Sequence, residues 1–165
     1  MYANLKLSRA AVATCGADSK AAVLAALSAC FADAYDLDRA TVLEGLEERE
    51  RLGSTGFGRR VAIPHARVGG IEFPVVALIK LDAPVDFKAA DGIPVDLVFG
   101  LLSPPNAGAG HLHALAAISR MIRDEKIYDA LQRAEDADAL FATLTNLPDS
   151  VIANDNPGGA ARESA

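Results

Sequence analysis

The 165-residue chain has no tryptophan, two cysteines and two methionines, and aromatic residues make up only 5% of it. Its core must therefore be built from Leu, Ile, Val and Ala. Cys15 and Cys30 show neither CxxC nor metal-ligand spacing. Both fall in an Ala-rich stretch read as helical, where a small buried thiol is the expected role. No run approaches the roughly 18 apolar residues that a membrane span needs. The N-terminal MYANLKLSRAAVATC also lacks the uninterrupted apolar centre of a signal peptide. These absences argue against membrane insertion and point to the cytoplasm. A basic run is missing too, and the net charge is −6. Nucleic-acid binding relies on Lys and Arg to neutralise phosphates, so the composition argues against that partner.

What is present suits one soluble α/β domain. Apolar residues form 51% of the chain and charged residues 23%, and a domain of this length buries roughly 70% of its unfolded surface. Residues 19–34 read as a helix capped by Ser19, with Val23, Leu24, Leu27 and Phe31 on one stripe. Asp38 caps a second helix, carrying Val42, Leu43 and Leu46 and ending in the charged run Glu47 to Arg51. Phe73–Leu81 and Val95–Leu102 are near-continuous apolar runs that read as buried strands. The segment between them holds Pro84, Pro94 and the turn signal Asp91-Gly92. Helices are expected over 111–123, 126–133 and 136–144. From Pro148 onward the chain is polar and aperiodic, which reads as a disordered tail over 149–165. Helices, then strands, then helices describe layers around a mostly buried sheet.

The three histidines differ in setting. His65 follows the strand-like Val61-Ala-Ile-Pro64, where proline stiffens the backbone, and lies just beyond a glycine-rich loop. It reads either as a reactive side chain on a rigid element or as a histidine that hydrogen-bonds at a strand end. At about 100° per residue, Leu115, Ile118 and Ile122 fall within roughly 40° of His111, whereas His113 points about 200° away. His111 thus faces the core at the first turn of a helix, where the positive end of the dipole favours a neutral imidazole, and His113 faces outward. Divergent side chains at 111 and 113 also cannot share an ion, so no metal site is expected.

The loop Gly53 to Gly58 lacks the Gly-Lys-Ser/Thr ending of a P-loop and follows a helix, so a nucleotide site is not indicated. Two readings remain. Backbone N–H groups around Gly56, with the Ser54 and Thr55 hydroxyls, could receive a small oxyanion; alternatively, the segment is a helix stop and turn.

Three blocks, RERLGSTGFGRRVAIPHAR (49–67), APVDFKAADGIPVDLVFGLLSP (83–104) and HLHALAAISRMIRD (111–124), together resemble the IIA phosphoryl-acceptor domain of the bacterial phosphoenolpyruvate-dependent phosphotransferase system. The resemblance is to the fructose/mannitol-type superfamily, and most of all to its nitrogen-regulatory branch. It implies a single domain over 1–148 with a mixed β-sheet flanked by helices. It also implies that His65 is phosphorylated, that His111 hydrogen-bonds the phosphoryl group, and that Arg49 helps to hold it. The implied donor is an HPr-like phosphocarrier protein, and no cofactor is needed because that donor already carries a P–N bond. The implied outputs are regulatory targets such as potassium-transport regulators or sensor kinases. A sugar-uptake component, or an interaction module that is no longer phosphorylated, are the alternatives. One position departs from the family pattern. Arg60 stands where a glycine is usual before the AIPH strand, and it either crowds the loop or adds positive charge to the phosphate site.

Overall fold

Val95 to Ser103 is buried at every position, which requires cover on both faces and makes this strand the centre of the sheet. A computed structural model describes residues 5–147. In chain order the elements are β1 (Lys6–Cys15), α1 (Lys20–Tyr35), α2 (Arg39–Arg51), β2 (Gly56–Gly58), β3 (Val61–Ala62) and β4 (His65–Arg67). They continue through β5 (Val75–Val85), β6 (Val95–Ser103), α3 (Ala109–Arg123), α4 (Glu125–Arg133) and α5 (Ala137–Thr145).

The sheet is mixed and six-stranded, in the order β1-β5-β6-β3-β2, with β4 also paired to β6. β5 runs antiparallel to β6, while β3 and β4 run parallel to it one after the other, Val61 opposite Leu97 and His65 opposite Leu101. Alternation along β6 divides the core in two. Val98 and Leu102 face Val23, Leu27 and Phe31 of α1 and Val42 and Leu46 of α2. Leu97, Phe99 and Leu101 face Ile118 and Ile122 of α3, Leu131 of α4 and Leu140 of α5. Gly100 points at α1, and a Cβ there would lie 2.6 Å from the Phe31 ring and 2.8 Å from Leu27 Cδ1. The residue is glycine because the helix crosses the strand at that point.

The helix starts obey local chemistry. The side chains of Ser19, Asp38, Asp124 and Asp136 each accept a backbone N–H of the helix they precede, satisfying donors that a helix leaves orphaned. Helix α3 is the exception, because Gly108 caps it with no side chain.

Two expectations need correction. The N-terminal Ala-rich stretch is not all helix: Lys6–Cys15 is an edge strand paired in parallel with β5, so Cys15 ends a strand and only Cys30 is helical. Burial pushes the Cys30 thiol up to about 11, in keeping with an inert packing role. The second long strand begins at Val75 rather than Phe73, which stays exposed, and it continues to Val85. The tail anticipated over 149–165 lies outside the described residues.

Candidate functional site

The parallel pairing of β4 with the end of β6 carries His65 to one edge of the sheet, opposite Leu101, with Arg67 opposite Ser103. The last turn of α2 arrives from one side and the first turn of α3 from the other. Arg49, His65 and His111 therefore meet, far apart in sequence, on one open cleft of about 640 Å³. Its wall also includes Glu48, Arg51, Leu52 and Arg67, and Leu52 is 85% exposed at the rim.

The hydrogen bonds of His65 define its tautomer. Its Nδ1 lies 2.8 Å from the Ile63 carbonyl, which can only accept, so Nδ1 carries the proton. Nε2 is then the lone-pair nitrogen, and it receives the Arg49 Nε–H at 3.1 Å. Arg49 itself is steadied by a bond from Nη1 to the Gly53 carbonyl, 2.9 Å. Burial pushes the His65 pKa below its ordinary value. The Ile63 bond and the charge of Glu50 oppose that shift, and the Arg49 charge adds to it.

His111 is 7% exposed. Its Nδ1 lies 2.8 Å from Ser103 Oγ, and its ring centroid lies 5.4 Å from that of His65. Its pKa is lowered by burial first and then by His65 and Arg67. Both imidazoles are therefore neutral at pH 7, in a cleft whose flanking cations are arginines. That arrangement offers a free nitrogen nucleophile beside groups suited to a dianion.

The loop hydroxyls are engaged elsewhere. Ser54 Oγ donates to the Phe87 carbonyl, and Thr55 Oγ1 donates to Glu50. Gly56 backs directly onto Ala89, where a Cβ would sit 2.6 Å from the Ala89 Cβ. None of the three is among the residues that line the cleft. Arg60 neither crowds the site nor charges it, because its guanidinium pairs with Asp96 at the opposite end of β6. His113 is exposed on the outer side of α3. Sequence reasoning overlooked Ser103 and Arg67. The one signal for Ser103 was a lone hydroxyl closing an apolar strand just before two prolines, and Arg67 was visible only as the last residue of the AIPHAR block.

An oriented imidazole in an open cleft at the end of a mixed sheet is compatible with a domain that handles a small anion, and sequence similarity assigns the family. The chain belongs to the EIIA 2 family of the phosphoenolpyruvate-dependent sugar phosphotransferase system, whose model matches residues 8–147. It is 46% identical over 112 residues to a nitrogen regulatory protein of Pseudomonas aeruginosa, covering 68% of this chain and 73% of that one. It is 43% identical over 131 residues to one from Bradyrhizobium diazoefficiens, covering 79% and 86%. The crystal structure of the nitrogen regulatory protein IIA-Ntr from Neisseria meningitidis superposes with a TM-score of 0.76 at 35% identity, covering 84% of this chain and 95% of that one. Among the described residues no helix is long and apolar enough to cross a membrane.

Proposed function

We propose that this chain is a cytoplasmic phosphoryl carrier that accepts a phosphoryl group on Nε2 of His65 from the phosphohistidine of an HPr-like phosphocarrier protein. The observation that carries the reading is the fixed tautomer, with Nδ1–H held by the Ile63 carbonyl and the Nε2 lone pair directed into an arginine-flanked cleft. The Nε2 lone pair attacks phosphorus as the bond to the donor's ring nitrogen breaks. The donor imidazole, protonated on its other ring nitrogen, leaves neutral, and the P–N bond now rests on His65, whose Nδ1 keeps its proton against the Ile63 carbonyl. Such transfers need positioning and charge stabilisation rather than covalent chemistry from the protein. Arg49 shifts from Nε2 onto the phosphoryl oxygens. His111, with Ser103 donating to its Nδ1, presents Nε2–H to the same group, and Arg67 adds charge nearby.

The similarity to proteins named nitrogen regulatory protein supports a regulatory output, in which phosphorylation alters binding to targets such as potassium-transport regulators or sensor kinases. Adding a dianion between Arg49 and Arg67 changes the charge of an exposed face, which is the kind of change a partner can read.

The test is intact-mass spectrometry without acid handling, after incubation with phosphoenolpyruvate, enzyme I and an HPr-like carrier. Wild type should gain one phosphate, His65→Ala none, and Arg49→Ala should be phosphorylated about a hundredfold more slowly. An unmodified, folded wild type beside a working donor chain would overturn the reading.

A further inference from the structure

The turn that follows α2 is held at successive residues, and one of its anchors is a buried carboxylate. The Glu50 side chain is 7% exposed and forms an ion pair with Lys20 of α1 through Oε1 at 2.8 Å. The same Oε1 accepts the Thr55 backbone N–H at 3.1 Å, and Oε2 accepts the Thr55 hydroxyl. Next in the turn, Ser54 is tied to the Phe87 carbonyl, and Gly53 offers its carbonyl to Arg49. Lys20 is itself steadied over the Phe87 ring, 5.3 Å from its centroid. Glu50 thus ties together the first turn of α1, the end of α2 and the turn that follows it.

The consequence lies one residue back. Arg49, whose Nε meets Nε2 of His65, is gripped at a second point by the Gly53 carbonyl, and that carbonyl belongs to the turn whose Thr55 Glu50 holds. We infer that Glu50, with Lys20 and Thr55, is a positioning residue for phosphoryl transfer: the carboxylate fixes the Gly53–Thr55 turn, which in turn holds the Arg49 guanidinium against Nε2 of His65. Glu50 does not line the His65 cleft; apart from the influence of its charge on the His65 imidazole, its route to the site is through Arg49. This places function in the Gly-Ser-Thr loop without asking its hydroxyls to touch phosphate. They are half of the clamp.

The inference rests on the phosphoryl-carrier reading, so its test carries a readout that needs no donor. In uniformly nitrogen-15-labelled, unphosphorylated protein, the Nε2 resonance of His65 reports the hydrogen bond from Arg49. Glu50→Gln should move that resonance toward the value seen in Arg49→Ala, while Thr55→Ser, which keeps the hydroxyl, should leave it at the wild-type position. In single-turnover transfer from a phosphorylated HPr-like carrier, Glu50→Gln should be at least tenfold slower at saturating donor, with the half-saturating donor concentration unchanged. Combined with Arg49→Ala, it should slow transfer no further. Should Glu50→Gln fail to fold, Thr55→Val takes its place and should reproduce both effects in weaker form. An unmoved resonance, or effects of Glu50 and Arg49 that multiply, would overturn the inference. A wild type that takes up no phosphate would sink the carrier reading alone, and the resonance would still decide the role of Glu50.

Discussion

Arg59 and Arg60 both hold positive φ, 57° and 69°, in a region where a side chain costs roughly 1–2 kcal/mol and glycine almost nothing. Neighbours hold the turn there. The Arg59 N–H goes to Asp91, and its carbonyl accepts the Tyr128 hydroxyl at 2.6 Å. The Arg60 carbonyl accepts N–H groups from both Asp96 and Leu97, and its guanidinium pairs with the buried Asp96. Arg60 is thus a trade of backbone strain against an ion pair. Two variants separate the parts. Arg60→Ala loses the pair and keeps the strain, whereas Arg60→Gly loses the pair and relieves the strain. The glycine variant should be the more stable of the two by up to about 1 kcal/mol in urea denaturation, both lying below wild type. Equal stabilities would mean that the turn carries no strain at this position.

Elements behave differently, because their identity depends on what lies next to them. Lys80 occupies the face of β5 whose neighbours Val76 and Leu78 are core residues, an unexpected place for an ammonium group. Its stem crosses that face so that Nζ meets the Gln132 and Ala134 carbonyls at 2.6 Å each, with Leu131 at 3.4 Å. These are carbonyls of the last turn of α4 and of its capping residue Ala134, where a helix leaves acceptors without intrahelical partners. Lys80→Met keeps the stem and removes the donors. It should cost about 1–3 kcal/mol and speed amide hydrogen exchange in α4 more than in α3; uniform exchange along both helices would refute the capping role. The sequence shows this lysine but not its partners, which lie 51 to 54 residues away. The same limit explains β1. KLSRAAVATC has few β-branched residues and many alanines, so propensity says helix, and only pairing with β5 makes it a strand. By contrast, α1, α2, α3 and β6 were legible because their burial is written as a stripe or an unbroken run. At the site, Arg49, His65 and His111 were visible from motif and helical phase. Ser103 and Arg67 were not, since their place at the site depends on the pairing of β4 with β6 and on the approach of α3. For Ser54 and Thr55 the turn reading stood beside the oxyanion reading, and only their partners Phe87 and Glu50 favour the turn.

At the scale of the whole molecule, the site and the fold share one titration. His65 and His111 lie 5.4 Å apart between their ring centroids, and each is pushed below the ordinary 6.5, chiefly by burial. Unfolding returns both to that ordinary value, so below it the unfolded chain binds more protons than the native one. Their contribution to stability is complete above pH 6.5 and is lost as pH falls through their lower native values. The slope of stability against pH should therefore be positive in that acid window, beyond what the carboxylates supply at still lower pH. On the proposed function, transfer should follow the same window in the same direction, because a protonated His65 has no lone pair to offer. Urea denaturation of wild type and of the His65→Gln/His111→Gln double variant, at several pH values between 7.5 and 5, isolates the histidine part. The double variant should show the flatter slope. Identical slopes would mean that the two imidazoles titrate alike in the folded and unfolded chain, and that burial does not hold the nucleophile neutral.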